Sequence, residues 1–138
     1  PAKLLAMSEK DDDELRRLLK LGEFSQRRGD SAAAAAAFRH VAQRYADDGF
    51  FLKAIALTKQ VLKLNPRLID LYATLAEWHH TIGLLGEARG YLATAISSLL
   101  EAGRHADAIA LEARFLALGI SRSRSVVDEL LQAPKARA

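Results

Sequence analysis

The most constraining feature of this sequence is the regular alternation of helical segments with short breaks. Apolar residues recur at spacings of three and four along almost the whole chain, which is the period of one helix face. Helices joined by such short connections run antiparallel to their neighbours. The pattern therefore predicts an all-α chain of six to seven helices arranged as consecutive hairpins. The breaks fall at Gly29-Asp30-Ser31, Asp47-Asp48-Gly49, Asn65-Pro66, Gly83, Ala102-Gly103 and Gly119.

The predicted helices are each about four turns long. The first covers 12–28, the second Ala32–Ala46 and the sixth 104–118, while a short seventh helix covers Ser125–Gln132. Asn65 ends the third helix because a residue before proline is pushed out of the helical region. The acidic run Asp11–Glu14 is interpreted as an N-terminal cap, since negative charge is favourable at a helix start.

Composition excludes several classes of protein. The 138 residues include no cysteine, which excludes disulfides, thiolate metal sites and a thiol nucleophile. The uncharged stretches fall short of the roughly 20 apolar residues that a membrane span requires, and the first residues do not resemble a signal peptide. A soluble, cytoplasmic protein is expected. The net charge of +3 is mild. The most basic segment is the tail, which the charge pattern favours as a solvated linker over a nucleic-acid site. Its cations are Arg122, Arg124, Lys135 and Arg137.

Two adjacent segments, Ala35–Leu68 and Ile69–Ala102, are both 34 residues long and share small residues at the same positions. Position 8 is alanine in both, position 15 is glycine and position 20 is alanine. The two segments resemble the tetratricopeptide repeat. A second phase also fits, in which a repeat begins at Leu15, but the break at Asn65-Pro66 favours the phase that starts at Ala35 and Ile69. The shared residues are Ala42 and Ala76, Gly49 and Gly83, and Ala54 and Ala88.

The resemblance implies a short right-handed solenoid of stacked antiparallel hairpins over 12–119. Helices 12–28 and 104–118 would flank the two repeats, 1–11 would be an N-terminal extension, and 120–138 a short helix and linker. In this family the first helix of each repeat lines a concave groove that binds a partner. The groove residues implied here are Arg39, Gln43, Asp47, Asp70, Glu77, His80 and Thr81.

No residue pattern predicts catalysis or a cofactor. His79 and His80 point about 100° apart on a helix and cannot readily share a metal, and His40 and His105 follow no zinc spacing. His79 falls at a packing position of the repeat and Trp78 on a packing face, so both are expected in the core. Phosphate-binding loops and nucleophile motifs do not occur. We therefore expect no enzyme, no metal and no cofactor.

The expected function is that of a scaffold or adaptor module that binds a protein segment carrying charges of both signs in its groove. The module could be one domain of a larger regulatory or assembly protein. Self-association is the alternative, through apolar surface at Phe50-Phe51 and at Val126–Leu131. Nucleic-acid binding through the basic tail is a less favoured third.

Overall fold

The structure is a computed structural model that describes residues 2–120 and 125–132, with side chains from residue 9 onward. The described residues form seven α-helices and no strand, which confirms the all-α prediction. The helices are α1 (Ala2–Arg27), α2 (Ser31–Asp47), α3 (Phe51–Leu64), α4 (Asp70–Thr81), α5 (Leu85–Glu101), α6 (His105–Ala117) and α7 (Val126–Gln132).

The first helix differs most from the sequence prediction. It begins at Ala2 and not near position 12, so most of the predicted N-terminal extension is helical. The interpretation of Asp11–Glu14 as a helix cap is wrong, because α1 runs through these residues without a break. Nothing between position 2 and position 21 is glycine or proline, so no residue there interrupts the helix. Asp11 instead forms an ion pair with Arg44 of α2.

The breaks between helices follow the chemistry that the sequence indicated. Gly29 has a φ of 80° and Gly83 a φ of 81°, a left-handed conformation that glycine adopts without a steric cost. Asp30 follows Gly29, and its carboxylate accepts the backbone N–H of Ala33 at 3.1 Å to cap α2. At Asn65 the backbone is extended, which ends α3 before Pro66 as predicted.

The chain divides into two compact units, Pro1–Leu68 and Ile69–Ala138. In unit 1, α2 packs against both α1 and α3. The side chains of Phe38 and Val41 on α2 and Val61 on α3 are fully buried there. Gly22 of α1 lies directly against the Phe38 ring, since a Cβ placed on Gly22 would be 2.5 Å from Cε1 of that ring. This close approach brings α1 and α2 together.

In unit 2, α5 packs against both α4 and α6, and α7 packs on α6. Leu92 and Ile96 of α5 and Phe115 of α6 form one buried cluster with Val126 of α7. Glu112 of α6 is buried as well, and its two carboxylate oxygens accept the backbone N–H of Val126 at 3.0 and 2.9 Å. This contact holds the start of α7 on α6.

The two units are related by an offset of 54 positions in the sequence. Gly29 matches Gly83 and Gly49 matches Gly103, and all four have positive φ. The sequence Ala-Ile-Ala-Leu occurs at 54–57 and again at 108–111. The offset therefore equates α1, α2 and α3 with α4, α5 and α6. Ala34, Ala54, Ala88 and Ala108, each five positions after one of these glycines, are all fully buried.

This offset is also the distance between Leu15, where a repeat begins in the second phase, and Ile69. It therefore makes the hairpin of α1 and α2 equivalent to the hairpin of α4 and α5. The favoured phase pairs α2 with α3 and α4 with α5 instead. Its positions 8 and 20 are also buried in both hairpins, at Ala42 and Ala76 and at Ala54 and Ala88. Both descriptions agree on which small residues lie where helices cross.

Candidate binding groove

A groove in unit 2 lies between α4 and α6, with α5 as its floor. It encloses a cavity of about 290 Å³. Ala73 of α4, Ala95 and Leu99 of α5, and Ala110 and Leu111 of α6 provide an apolar lining. The volume lies near the lower end of the roughly 300–1,000 Å³ typical of small-molecule pockets. The cavity therefore suits one or two bulky side chains of a partner better than a large cofactor.

The rim of this groove is charged with both signs. Asp70 of α4 lies on one side, and Arg104, the N-cap residue of α6, lies on the other side with Asp107 and Arg114 of α6. Arg104 donates to Asp107 through Nε at 2.9 Å. Glu77 of α4 pairs across the groove with Arg114 at 3.6 Å. Both partners of this ion pair are more than half exposed, so the pair contributes little stability and can exchange for a ligand's charges.

Three residues that line the cavity have smaller side chains than the residues of unit 1 at equivalent positions. Ala73 stands where unit 1 has Leu19, and Ala95 stands where unit 1 has Val41. At a third position Leu99 replaces Tyr45, whose ring in unit 1 lies beneath the Lys53 ammonium at 5.7 Å. Each replacement removes apolar volume from the same side of the three-helix unit. The groove therefore leaves room for an apolar side chain from a partner.

Unit 1 has a different cavity, of about 370 Å³, between the start of α2 and the end of α3. Ala32, Ala35 and Ala36 line one side, and Leu64 and Leu68 line the other. Arg39 is its charged residue. The predicted groove residue Arg39 therefore does lie at a concave surface, but one formed by α2 and α3.

The seven predicted groove residues fall into two sets on different units. Arg39, Gln43 and Asp47 lie on α2, where the amide of Gln43 donates to Asp47 at 2.9 Å. Asp70, Glu77, His80 and Thr81 lie on α4. Since the 54-residue offset equates α2 with α5 and α4 with α1, the two sets lie on non-equivalent helices of their units.

Within the α4 set, only Asp70 and Glu77 belong to the unit 2 groove. The hydroxyl of Thr81 donates to the backbone carbonyl of Glu77 at 3.0 Å, and His80 is half-buried. The sequence prediction missed Arg104, Asp107 and Arg114, because α6 was interpreted only as a flanking helix. The repeated Ala-Ile-Ala-Leu segment was the signal that could have identified α6 as the equivalent of α3.

The prediction that His79 and Trp78 belong to the core is confirmed, since they are 3% and 8% exposed. Nδ1 of His79 donates to the backbone carbonyl of Leu75 at 2.7 Å, and the ring stacks on Tyr91 with centroids 5.0 Å apart. Within the described part of the chain, no cluster of three or more His, Asp or Glu side chains could hold a metal ion.

The structure describes only part of the surfaces that self-association or nucleic-acid binding would use. Phe50 is 54% exposed, and Phe51 is half-buried. Val126 is buried, whereas Val127 and Leu131 are exposed. The four cations of the basic tail lie outside the described residues. Between residues 2 and 132, apart from the gap at 121–124, no helix is both long and apolar enough to cross a membrane.

Arg44 links α1 and α2 through two carboxylates. Its guanidinium forms ion pairs with Asp11 and, at 3.5 Å, with Asp48. The charge of Asp11 raises the pKa of the Arg44 guanidinium above its ordinary value, and Asp48 adds to this effect. The contact ties the part of α1 that the sequence assigned to an extension onto unit 1.

Comparison of the chain with models of protein families and with curated proteins found no match.

Proposed function

We propose that this chain is a helical-repeat module, similar to tetratricopeptide repeats, that binds a segment of a partner protein in the groove of unit 2. The observation that carries the proposal is the apolar cavity between α4, α5 and α6 beneath a rim of both charges. An apolar floor supplies binding energy through burial, and a polar rim orients the ligand. A partner segment would insert a bulky apolar side chain above Ala73 and Ala95.

The rim indicates which charges the segment carries. Arg104 and Arg114 face an acidic group of the partner, and Asp70 and Glu77 face a basic one. Such a segment, with one large apolar anchor between charges of both signs, matches the mode in which an amphipathic helix lies in a groove. The ion pair between Glu77 and Arg114 would open to admit it.

The test uses peptides selected from a random library displayed on phage against the native chain. The affinity of each selected peptide is then measured for the native chain and for the Ala73→Leu variant, which restores the residue of unit 1 and fills the groove. We expect a loss of affinity of about tenfold or more, since an anchoring side chain carries at least about 1.4 kcal/mol.

A matched control is Ala36→Leu, which makes the same change at the cavity of unit 1. Peptides that lose affinity for this variant and keep it for Ala73→Leu would move the site to the unit 1 cavity. Charge reversal separates the two surfaces in the same way, with Glu77→Lys acting on unit 2 and Arg39→Glu on unit 1. If neither alanine replacement affects any selected peptide, both cavities are excluded as binding sites.

A further inference from the structure

The outer side of α1 carries an apolar patch between two cations. Arg17, Leu21 and Phe24 follow one another at spacings of four and three, which places them on one face of α1, and Arg28 follows four positions later, just past the end of the helix. Leu21 is 51% exposed and Phe24 50% exposed. The guanidinium of Arg28 lies over the Phe24 ring, 5.4 Å from its centroid. We call these four residues the α1 stripe.

The equivalent face in unit 2 is covered. With the 54-residue offset, Arg17, Leu21 and Phe24 correspond to Leu71, Leu75 and Trp78 of α4, which are 4%, 0% and 8% exposed. The same face of the same helix in the repeat is therefore buried in one unit and open in the other. The cations at the two ends of the α1 stripe favour an apolar element with acidic groups as its cover.

The chain itself contains an element of this chemistry, the helix α7. Its inner side is anchored, because Val126 is fully buried and Leu130 packs against the core of unit 2. Its outer side presents Val127, which is 48% exposed, and Leu131, which is 79% exposed. Asp128 lies exposed beside them. We call Val127, Asp128 and Leu131 the α7 stripe.

We propose that copies of this chain associate, with the α7 stripe of one copy docked on the α1 stripe of another. Leu131 and Val127 cover Leu21 and Phe24, and Asp128 lies near a cation of the α1 stripe. The overall charges of the two units differ in the same direction, because positions 1–68 carry thirteen Lys and Arg against nine Asp and Glu, whereas positions 69–138 carry seven against eight.

Two of the acidic residues that precede the α1 stripe pair with cations outside it. Asp11 pairs with Arg44, and Asp13 pairs with Arg16 at 3.4 Å. Because the two docking surfaces differ, a single contact between two copies leaves one stripe of each kind open for a further contact. A seven-residue helix covers less than the roughly 1,600 Å² of a standard interface, so the association is weak and depends on concentration. It is independent of the groove in unit 2.

The test is sedimentation velocity on the full chain over a concentration series into the millimolar range. Three samples are compared: the native chain, the Arg17→Glu/Arg28→Glu variant and the Asp128→Lys variant. Each variant alone places like charges on both stripes. We expect each to associate about tenfold more weakly than the native chain. Far-UV circular dichroism verifies that all three have the same helix content.

An equimolar mixture of the two variants provides the decisive measurement. In the mixture, every α7 stripe meets an α1 stripe of opposite charge on the other variant, so association is expected to return to the native strength. A native chain that stays monomeric throughout the series would overturn the proposal. So would association that neither variant weakens, or a mixture that associates no better than its components, because then other surfaces are responsible. Peptide binding in the groove of unit 2, and its loss in Ala73→Leu, are expected to be the same whether or not copies of the chain associate.

Discussion

The contact between Gly22 and Phe38 makes a sharp prediction about what holds α1 on α2. A Cβ on Gly22 would lie 2.5 Å from Cε1 and 2.8 Å from Cδ1 of the Phe38 ring. Ordinary contact begins near 3.4 Å, so the ring would have to move by about 1 Å. Phe38 is 1% exposed, so its ring cannot shift without displacing neighbouring atoms. The Gly22→Ala variant is therefore expected to be destabilised.

The magnitude follows from two opposing effects. Overpacking a well-packed core costs about 1–3 kcal/mol, and the rigid ring places this site near the upper end. Replacing glycine by alanine inside a helix contributes about 1 kcal/mol in the other direction. The free energy of unfolding should fall by about 2 kcal/mol. Gly90→Ala is the matched control, because nothing lies within 4 Å of its added Cβ on α5. This variant should gain up to about 1 kcal/mol.

Unit 2 indicates which second substitution should restore the stability that Gly22→Ala loses. At the positions equivalent to Gly22 and Phe38 it has Ala76 and Leu92, which are fully buried in one cluster. The double variant Gly22→Ala/Phe38→Leu should therefore be more stable than the sum of the two single changes predicts, with a coupling energy of about 1–2 kcal/mol. Urea unfolding followed by far-UV circular dichroism measures the native chain, the two single variants, the double variant and the Gly90→Ala control. The reasoning is refuted if Gly22→Ala is as stable as Gly90→Ala, or if the double variant is simply additive.

Three other changes test separate parts of the structure. Ala73→Leu should raise the stability of unit 2 by about 1 kcal/mol. The three added carbons each contribute up to about 0.8 kcal/mol on burial, and the loss of side-chain entropy offsets part of this gain. Fluorescence of Trp78, the single tryptophan, during denaturation measures the change in stability. Glu112→Ala should lower the free energy of unfolding by about 1–3 kcal/mol and release α7, because the buried N–H of Val126 loses its acceptor. Hydrogen exchange at the Val126 amide should become faster, and unchanged exchange would contradict the role of the carboxylate. Asp30→Ala should lower the free energy of unfolding by about 1 kcal/mol because it removes the cap of α2, whereas Asp30→Asn should lower it less. If thermal unfolding shows equal losses of stability for the two variants, capping is excluded as the cause.

Much of the fold could be predicted because it depends on local chemistry. Glycine at the ends of helices and the proline after Asn65 act within a few residues of where they stand, and the structure has its breaks there. The core positions of Trp78 and His79 followed from helical spacing and from the place of His79 in the repeat. The acidic run Asp11–Glu14 was misinterpreted because a carboxylate near a helix start and one inside a helix look alike in sequence. Its partner Arg44 is distant in the chain.

The candidate site was predictable only in part, for the same reason. Asp70 and Glu77 lie on the groove of unit 2, but their counterparts Arg104 and Arg114 lie about 35 positions later, at the N-cap of α6 and within it. A spacing rule within one helix identifies a face and cannot identify the helix opposite. Ala73 lines the cavity, whereas unit 1 has Leu19 at the equivalent position. The internal offset of 54 residues makes that difference visible once the units are compared.

The sequence by itself determined the secondary structure of this protein: where its helices lie, where most of them end, and which side of each is apolar. These properties depend on intrinsic backbone preferences and on the helical period, which act over a few residues. Only the tertiary structure decided which apolar faces are covered. Leu75 and Leu21 occupy equivalent positions, yet one is buried and the other is half exposed. Burial depends on what packs against a side chain from elsewhere in the molecule, and that information is absent from the local pattern.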